Sequence, residues 1–212
     1  MSHLNDLINR PPTFGVIQNW LGAEFVQRLL EYARSNRQYF KDSRVGYGDR
    51  SKTDPSRRRS VKLRDFGKLK DEVQTKATAA LPEMFGKLGS PSFIPSKIEL
   101  ELVAHQDGAF FARHKDTFIG GNETTGNDAL SRRVISAVYY FNATPKAFSG
   151  GILRLHSLAE NPAAGSHVDI EPMNDSLAFF PSWFPHEVTP VRCPTDRFDD
   201  SRFTINCWFH RA

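Results

Sequence analysis

Cysteine is scarce in this chain of 212 residues: there are two, Cys193 and Cys207. Their spacing is not that of a metal knuckle, and a disulfide framework needs more of them. A reducing cytoplasm is therefore the expected setting. Long apolar runs are missing too; none approaches the ~20 residues of a membrane span. The start, Met1-Ser2-His3-Leu4-Asn5-Asp6, lacks the basic and then apolar stretch of a secretory signal. There is no internal repeat and no low-complexity block. Nor does one charge dominate: 28 Lys and Arg against 24 Asp and Glu leave +4. That is a weak bias towards acidic partners, so the placement of charge matters more than its total.

The length suits a single domain able to bury a full core. Residues 1–17 read as an irregular lead-in marked by Pro11-Pro12. Between Leu21 and Arg34, Phe25, Val26, Leu29, Leu30 and Ala33 recur at helical spacing. A second helical stripe, Leu69, Val73, Ala77, Leu81 and Phe85, spans 68–87 and holds Pro82, which should kink or split it. Between them, residues 36–66 are rich in Gly, Ser, Pro and charge, and predict a long loop or loosely paired hairpin. Arg57-Arg58-Arg59 is its most basic point. It reads either as a solvated charge run or as a substrate-contacting flap. It lacks the aromatic interleaving of single-strand nucleic-acid binders, so nucleic acid is disfavoured as a partner.

From Ile98 the character turns to strand. Ile98–Val103 alternates with period two. Strands are expected at 110–116, 134–141, 152–155, 167–170, 176–180, 187–191 and 202–209, with a flexible loop at 120–127. Helices first and short strands after predict a mainly β protein with flanking helices, a sandwich or barrel. The N-terminal part, 1–97, would pack on a core of 98–212 within a single structural domain.

Chemistry enters at Phe110–Asp116. On a strand, residues i and i+2 share a face, so His114 and Asp116 would project together. With a distant histidine, His186, they make the two-His-one-carboxylate set that holds a ferrous ion with three positions open. A 2-oxo acid can fill two of these and O₂ the third. Its far carboxylate needs a fixed partner. Arg202 offers a planar fork, and Thr204, two residues on, or Tyr140 can add a hydroxyl.

Several segments carry a resemblance: Phe111–Asp116, Tyr139-Tyr140-Phe141-Asn142, Ser149–Leu155, Asp169-Ile170-Glu171-Pro172, Pro185–Pro190 and Arg202–Trp208. Together they resemble the 2-oxoglutarate- and iron(II)-dependent oxygenases, and more closely the prolyl 4-hydroxylases of the hypoxia type. The likeness covers about residues 98–210. It implies a double-stranded β-helix, a cupin-like jelly roll. It also implies Fe(II) on His114, Asp116 and His186, with Arg202 and Tyr140 on 2-oxoglutarate. O₂ would be the oxidant, ascorbate would support activity, and succinate and CO₂ would be co-products. The basic loop at 43–60 matches the position of the family's mobile substrate flap. Arg59, His105 and Trp183 are the expected substrate contacts.

The chain departs from the family in three places. His105 stands where many members carry tyrosine, Phe111 where some do, and the stretch from His186 to Arg202 is longer. Arg202 is preferred over Arg192 and Arg197 because the Thr-Ile-Asn-Cys-Trp strand follows it. The implied substrate is a prolyl residue in a protein or peptide. The alternatives are a free amino acid or natural product, or a non-catalytic jelly-roll metal sensor. A nucleic-acid demethylase fits less well, since Arg211 lies too far beyond Arg202. Cys193, in a loop, has room to be exposed and reactive, though nothing nearby demands it, and Trp208 is read as core. Nothing in the sequence sets an oligomeric state.

Overall fold

The computed structural model describes residues 8–46, 51–117, 132–159 and 165–212. Helix α1 spans Ala23–Ser35 and buries Phe25, Val26, Leu29, Leu30 and Ala33, the stripe set by the spacing. These residues fall on one face of a 3.6-residue helix. One carboxylate fixes its entry. Asp175 accepts the backbone N–H groups of Leu21 and Gly22, both at 2.9 Å. It also accepts the Tyr139 hydroxyl at 2.9 Å, tying the helix start to the sheet beneath. The second stripe is split as Pro82 requires, into α2 (Lys68–Ala79) and α3 (Leu81–Leu88). Pro82 stands in the first turn of α3, where its missing N–H costs no helical bond.

The strands are β1 (Gly15–Gln18), β2 (Lys41–Asp42), β3 (Arg58–Arg59), β4 (Val61–Leu63), β5 (Lys97–His105), β6 (Phe110–His114) and β7 (Arg133–Phe141). They continue as β8 (Ser149–Gly150), β9 (Leu153–His156), β10 (His167–Ile170), β11 (Ser176–Pro181), β12 (His186–Val188), β13 (Val191–Arg192) and β14 (Arg202–His210). A large sheet runs β1-β11-β7-β14-β5-β4-β2, a smaller one β10-β9-β12-β6-β3, and β13 pairs with β8. The two larger sheets face each other as a jelly roll.

One expectation is corrected, and one left open is decided. Residues 15–18 are not irregular: they form β1 on the edge of β11, Gly15 opposite Phe179. Alternation explains this, since Ile17 packs on the helix side of the sheet and Val16 on the inner side. The basic stretch is the hairpin of the two options. Val45 bridges Lys52, and the stretch feeds β2 and β4 to the large sheet and β3 to the small one. The loop expected at 120–127 lies outside the described residues.

Period-two alternation divides the core. Outward residues of β5, β7, β11 and β14, such as Leu102, Tyr139, Phe179 and Phe209, bury against the helices. Inward residues Tyr140, Ala178 and Phe180 meet Leu153 and Leu155 of the small sheet. No helix among the described residues is long and apolar enough to cross a membrane.

Candidate active site

The small sheet brings the two histidines together. Strands β12 and β6 are antiparallel neighbours, and their register sets His186 opposite His114. The strand ends at His114, so Asp116 lies beyond it rather than on it as the His-x-Asp spacing suggests. Its N–H turns to the Ser182 carbonyl at 3.1 Å, on the segment leading to β12. The carboxylate then sits between the imidazoles. Oδ1 is 3.5 Å from His114 Nε2, and Oδ2 is 3.4 Å from His186 Nε2. The ligating atoms of all three lie within 4.8 Å of one another, the sole such group among the described residues.

Surrounding hydrogen bonds orient these atoms. The Nδ1–H of His114 donates to the Ala112 carbonyl and that of His186 to the Phe184 carbonyl, each at 2.9 Å. A carbonyl can only accept, so each Nε2 keeps its lone pair for the shared centre. Ser136 donates to Asp116 Oδ2 at 2.7 Å and meets Ser182 at 2.9 Å. Burial, then the neighbouring His186, pulls His114 down to about 4, so it is neutral at pH 7. Burial works against charge on Asp116, yet His186 and His114 hold it well below the usual carboxylate range. Burial also opposes charge on His186, but Asp116 tips it upwards. Two imidazoles and one ionised carboxylate, with no fourth protein ligand among the described residues, fit a ferrous ion with open positions.

Beside this centre lies a cradle. Arg202 opens β14 opposite His105 of β5 and is 1% exposed. Arg192 and Arg197 are exposed, and Arg197 is paired with Asp200 at 2.9 Å. The Arg202 guanidinium lies over the Tyr140 ring at 5.0 Å. Its Nη1 is 3.2 Å from His105 Nδ1, which is also 3.2 Å from the Arg202 carbonyl. One nitrogen cannot accept from the first and donate to the second at once. Burial, then the Arg202 charge, keeps His105 neutral. Among the described residues, Nε and Nη2 of Arg202 and the Tyr140 hydroxyl have no hydrogen-bond partner. Buried donors left so are costly, and a carboxylate entering here would answer all three. Gly151, at φ +65°, makes the approach possible: a Cβ there would stand 2.5 Å from Arg202 Cδ. Thr204 lies opposite Tyr140, fully buried, and donates to Asn206 Oδ1 at 3.2 Å.

The remaining expected residues divide. His105 lines the cavity at the histidines, with Arg202, His114, Asp116 and His186. Arg59 is exposed and lines a neighbouring cavity of about 230 Å³ instead. Trp183 is half-buried, stacks on Phe184 at 4.0 Å, and is absent from both linings. Four residues were missed. Ser136 and Asn206 line the metal cavity, and parity with Tyr140 and Arg202 would have found them. Trp208, read as core, faces the same cavity, with Arg133 4.2 Å over its ring. Arg58 lines it too; three consecutive arginines leave no period to say which points inward. Cys193 is buried rather than open, its Sγ 3.4 Å from the Asp200 carbonyl.

Residues 100–210 match the 2OG-Fe(II) oxygenase superfamily, and the chain belongs to it. It is 34% identical over 206 residues to an uncharacterized PKHD-type hydroxylase of Synechocystis sp., a match covering 95% of this chain. The chain spans 64% of the length of that curated relative. A crystal structure of a Pseudomonas putida prolyl-4-hydroxylase superposes with a TM-score of 0.66 at 22% identity, covering 100% of this chain and 98% of that one. A Trichoplax adhaerens prolyl hydroxylase, in complex with a hypoxia inducible factor oxygen degradation domain peptide fragment, gives 0.66 at 19% identity. There the coverage is 98% of this chain and 89% of the other. At such identities the two structures establish a shared fold.

Proposed function

We propose that the chain is a 2-oxoglutarate- and Fe(II)-dependent dioxygenase that hydroxylates a prolyl residue in a protein or peptide. Succinate and CO₂ are the co-products. The carrying observation is the pair of unanswered Arg202 donors and the unanswered Tyr140 hydroxyl beside the His-Asp-His triad. His114, Asp116 and His186 hold the iron. Arg202 binds the distal carboxylate of 2-oxoglutarate through Nε and Nη2, and Tyr140 donates to it. Thr204 backs the cradle from the same face. The ferrous ion, when bound, supplies O₂ activation and the oxidative decarboxylation of 2-oxoglutarate. The chain's own part is to orient and to shield. Ser136 steadies the Asp116 carboxylate, and backbone carbonyls fix both imidazoles. Phe111, Leu153, Val188 and Trp208 wall the cavity against water. The prolyl reading is supported by the fold shared with two prolyl hydroxylases, one of them holding a peptide.

The test is succinate production from 2-oxoglutarate with Fe(II), ascorbate and air, with and without proline-containing peptides. Peptide-stimulated turnover that disappears in Arg202→Ala is the expected result. Turnover indifferent to every peptide would move the substrate to a free amino acid or natural product. No turnover despite bound iron would favour the non-catalytic sensor.

A further inference from the structure

Arg58 has no place in the mechanism above, yet it is 8% exposed and faces the reaction cavity. It is on β3, paired with Phe111 of β6. Its guanidinium lies 4.6 Å over the Phe111 ring, and that ring stacks on the His114 imidazole at 3.5 Å. One aromatic ring therefore separates the cation from a metal ligand. Its Nε donates to Ser60 Oγ at 3.2 Å. Among the described residues no carboxylate lies in ion-pair range of it. The buried carboxylate Glu101 is taken by Lys62 at 2.6 Å and Arg64 at 3.1 Å.

A buried arginine stays charged, and a buried charge seeks an opposite one. The charges of the loaded site give the sign of what is missing. A ferrous ion, one carboxylate, a dianionic 2-oxo acid, Arg202 and Arg58 leave one positive charge over. The position of Arg58 says where the missing anion would come from. Among the described residues it is the one common to the linings of the metal cavity and the adjoining cavity of about 230 Å³. Its side chain therefore borders both cavities.

We propose that Arg58 selects the substrate: its guanidinium receives a carboxylate that the substrate carries close to the carbon to be hydroxylated. The inference rests on the oxygenase reading above. The carboxylate is either the α-carboxylate of a terminal or free proline, or an acidic side chain next to the target proline. Both present the same planar pair of oxygens to the guanidinium fork.

The experiment measures calorimetric binding to the Fe(II)- and 2-oxoglutarate-loaded protein under argon. The probes are L-proline against prolinamide, and two capped peptides that differ only in Asp or Asn after the proline. Wild type is expected to bind the acid of at least one pair about tenfold more tightly, equivalent to ~1.4 kcal/mol. The pair that responds identifies the source of the carboxylate. Arg58→Gln should bring that ratio to near one, and Arg58→Lys should keep part of it. Because the ratio is taken within each variant, a general loss of folded protein cancels. Flat ratios in wild type, or a ratio that survives Arg58→Gln, overturn the assignment. So does weaker 2-oxoglutarate binding in Arg58→Gln with the acid preference intact. Succinate measured in parallel separates the two readings. Turnover with flat ratios sinks the Arg58 assignment alone. An Arg58-dependent ratio without turnover sinks the oxygenase reading and leaves the carboxylate site standing.

Discussion

Strand β14 has two faces that do different work. Phe203, Ile205, Cys207 and Phe209 point to the helices and sit in the main apolar core. Arg202, Asn206 and Trp208 alternate with them and line the metal cavity. The outer face is satisfied, an apolar surface closed by α1, α2 and α3. The inner face is not: among the described residues Arg202 keeps two buried donors without partners, and Tyr140 on the neighbouring strand keeps its hydroxyl. Stability thus accumulates on one side of a single sheet. The other side carries unanswered polarity that a ligand has to complete. A one-residue register slip would exchange the two faces, and the nine-residue pairing of β14 with β5 holds the register.

The comparison breaks most visibly at the metal. Asp116→Ala or His186→Ala should lower iron-dependent succinate production more than ~100-fold. Iron titration followed by calorimetry should lose the site in step. Activity that survives both substitutions would remove the proposed ligands. Next in size is Arg202→Met. It should raise the KM for 2-oxoglutarate by about 100-fold, since a buried ion-pair partner is lost. The same change should leave the metal-free protein at least as stable as wild type in urea, because it removes an uncompensated buried charge. A clear fall in stability would mean that Arg202 is already satisfied without ligand. On the other face, Phe209→Ala should cost about 3–5 kcal/mol of unfolding free energy. The KM for 2-oxoglutarate of the folded fraction should be unchanged. A shift in that KM would show that the faces are coupled.

Much of this was legible because chemistry with period two leaves a trace in sequence. The helical stripe of α1, the split at Pro82 and the alternation of β5 and β14 could be read directly. The triad could be read because His-x-Asp and a later histidine keep their order along the chain, although Asp116 proved to lie past its strand. What was hidden depends on long-range pairing. β1 forms only because β11 offers an edge. In the arginine run, pairing of β3 with β6 turns Arg58 inward and leaves Arg59 exposed. Trp208 reads as core by type, and its parity with Arg202 along β14 turns it to the cavity instead.

The far end of the same inner face sharpens the contrast, with the smallest expected effect. Near Arg202 polar groups wait for a ligand, whereas the Glu99 carboxylate is met by partners from the protein itself. Arg133 reaches the Glu99 carboxylate at 2.8 Å and His210 at 3.3 Å. Burial pushes Glu99 up, but His210 and Arg133 outweigh it and hold the group at about 2, below its ordinary 4.5. A depressed carboxylate stabilises the fold above its unfolded value and loses that contribution as pH falls towards its folded one. Glu99→Gln should therefore cost at most about 2 kcal/mol at pH 7, after allowance for partial solvent screening. The gap to wild type should close between pH 4.5 and about 2. Thermal melts of both proteins across that range read it directly. A gap that stays constant with pH would mean that Glu99 acts by packing and not by charge. The two ends of the inner face would then differ in shape alone.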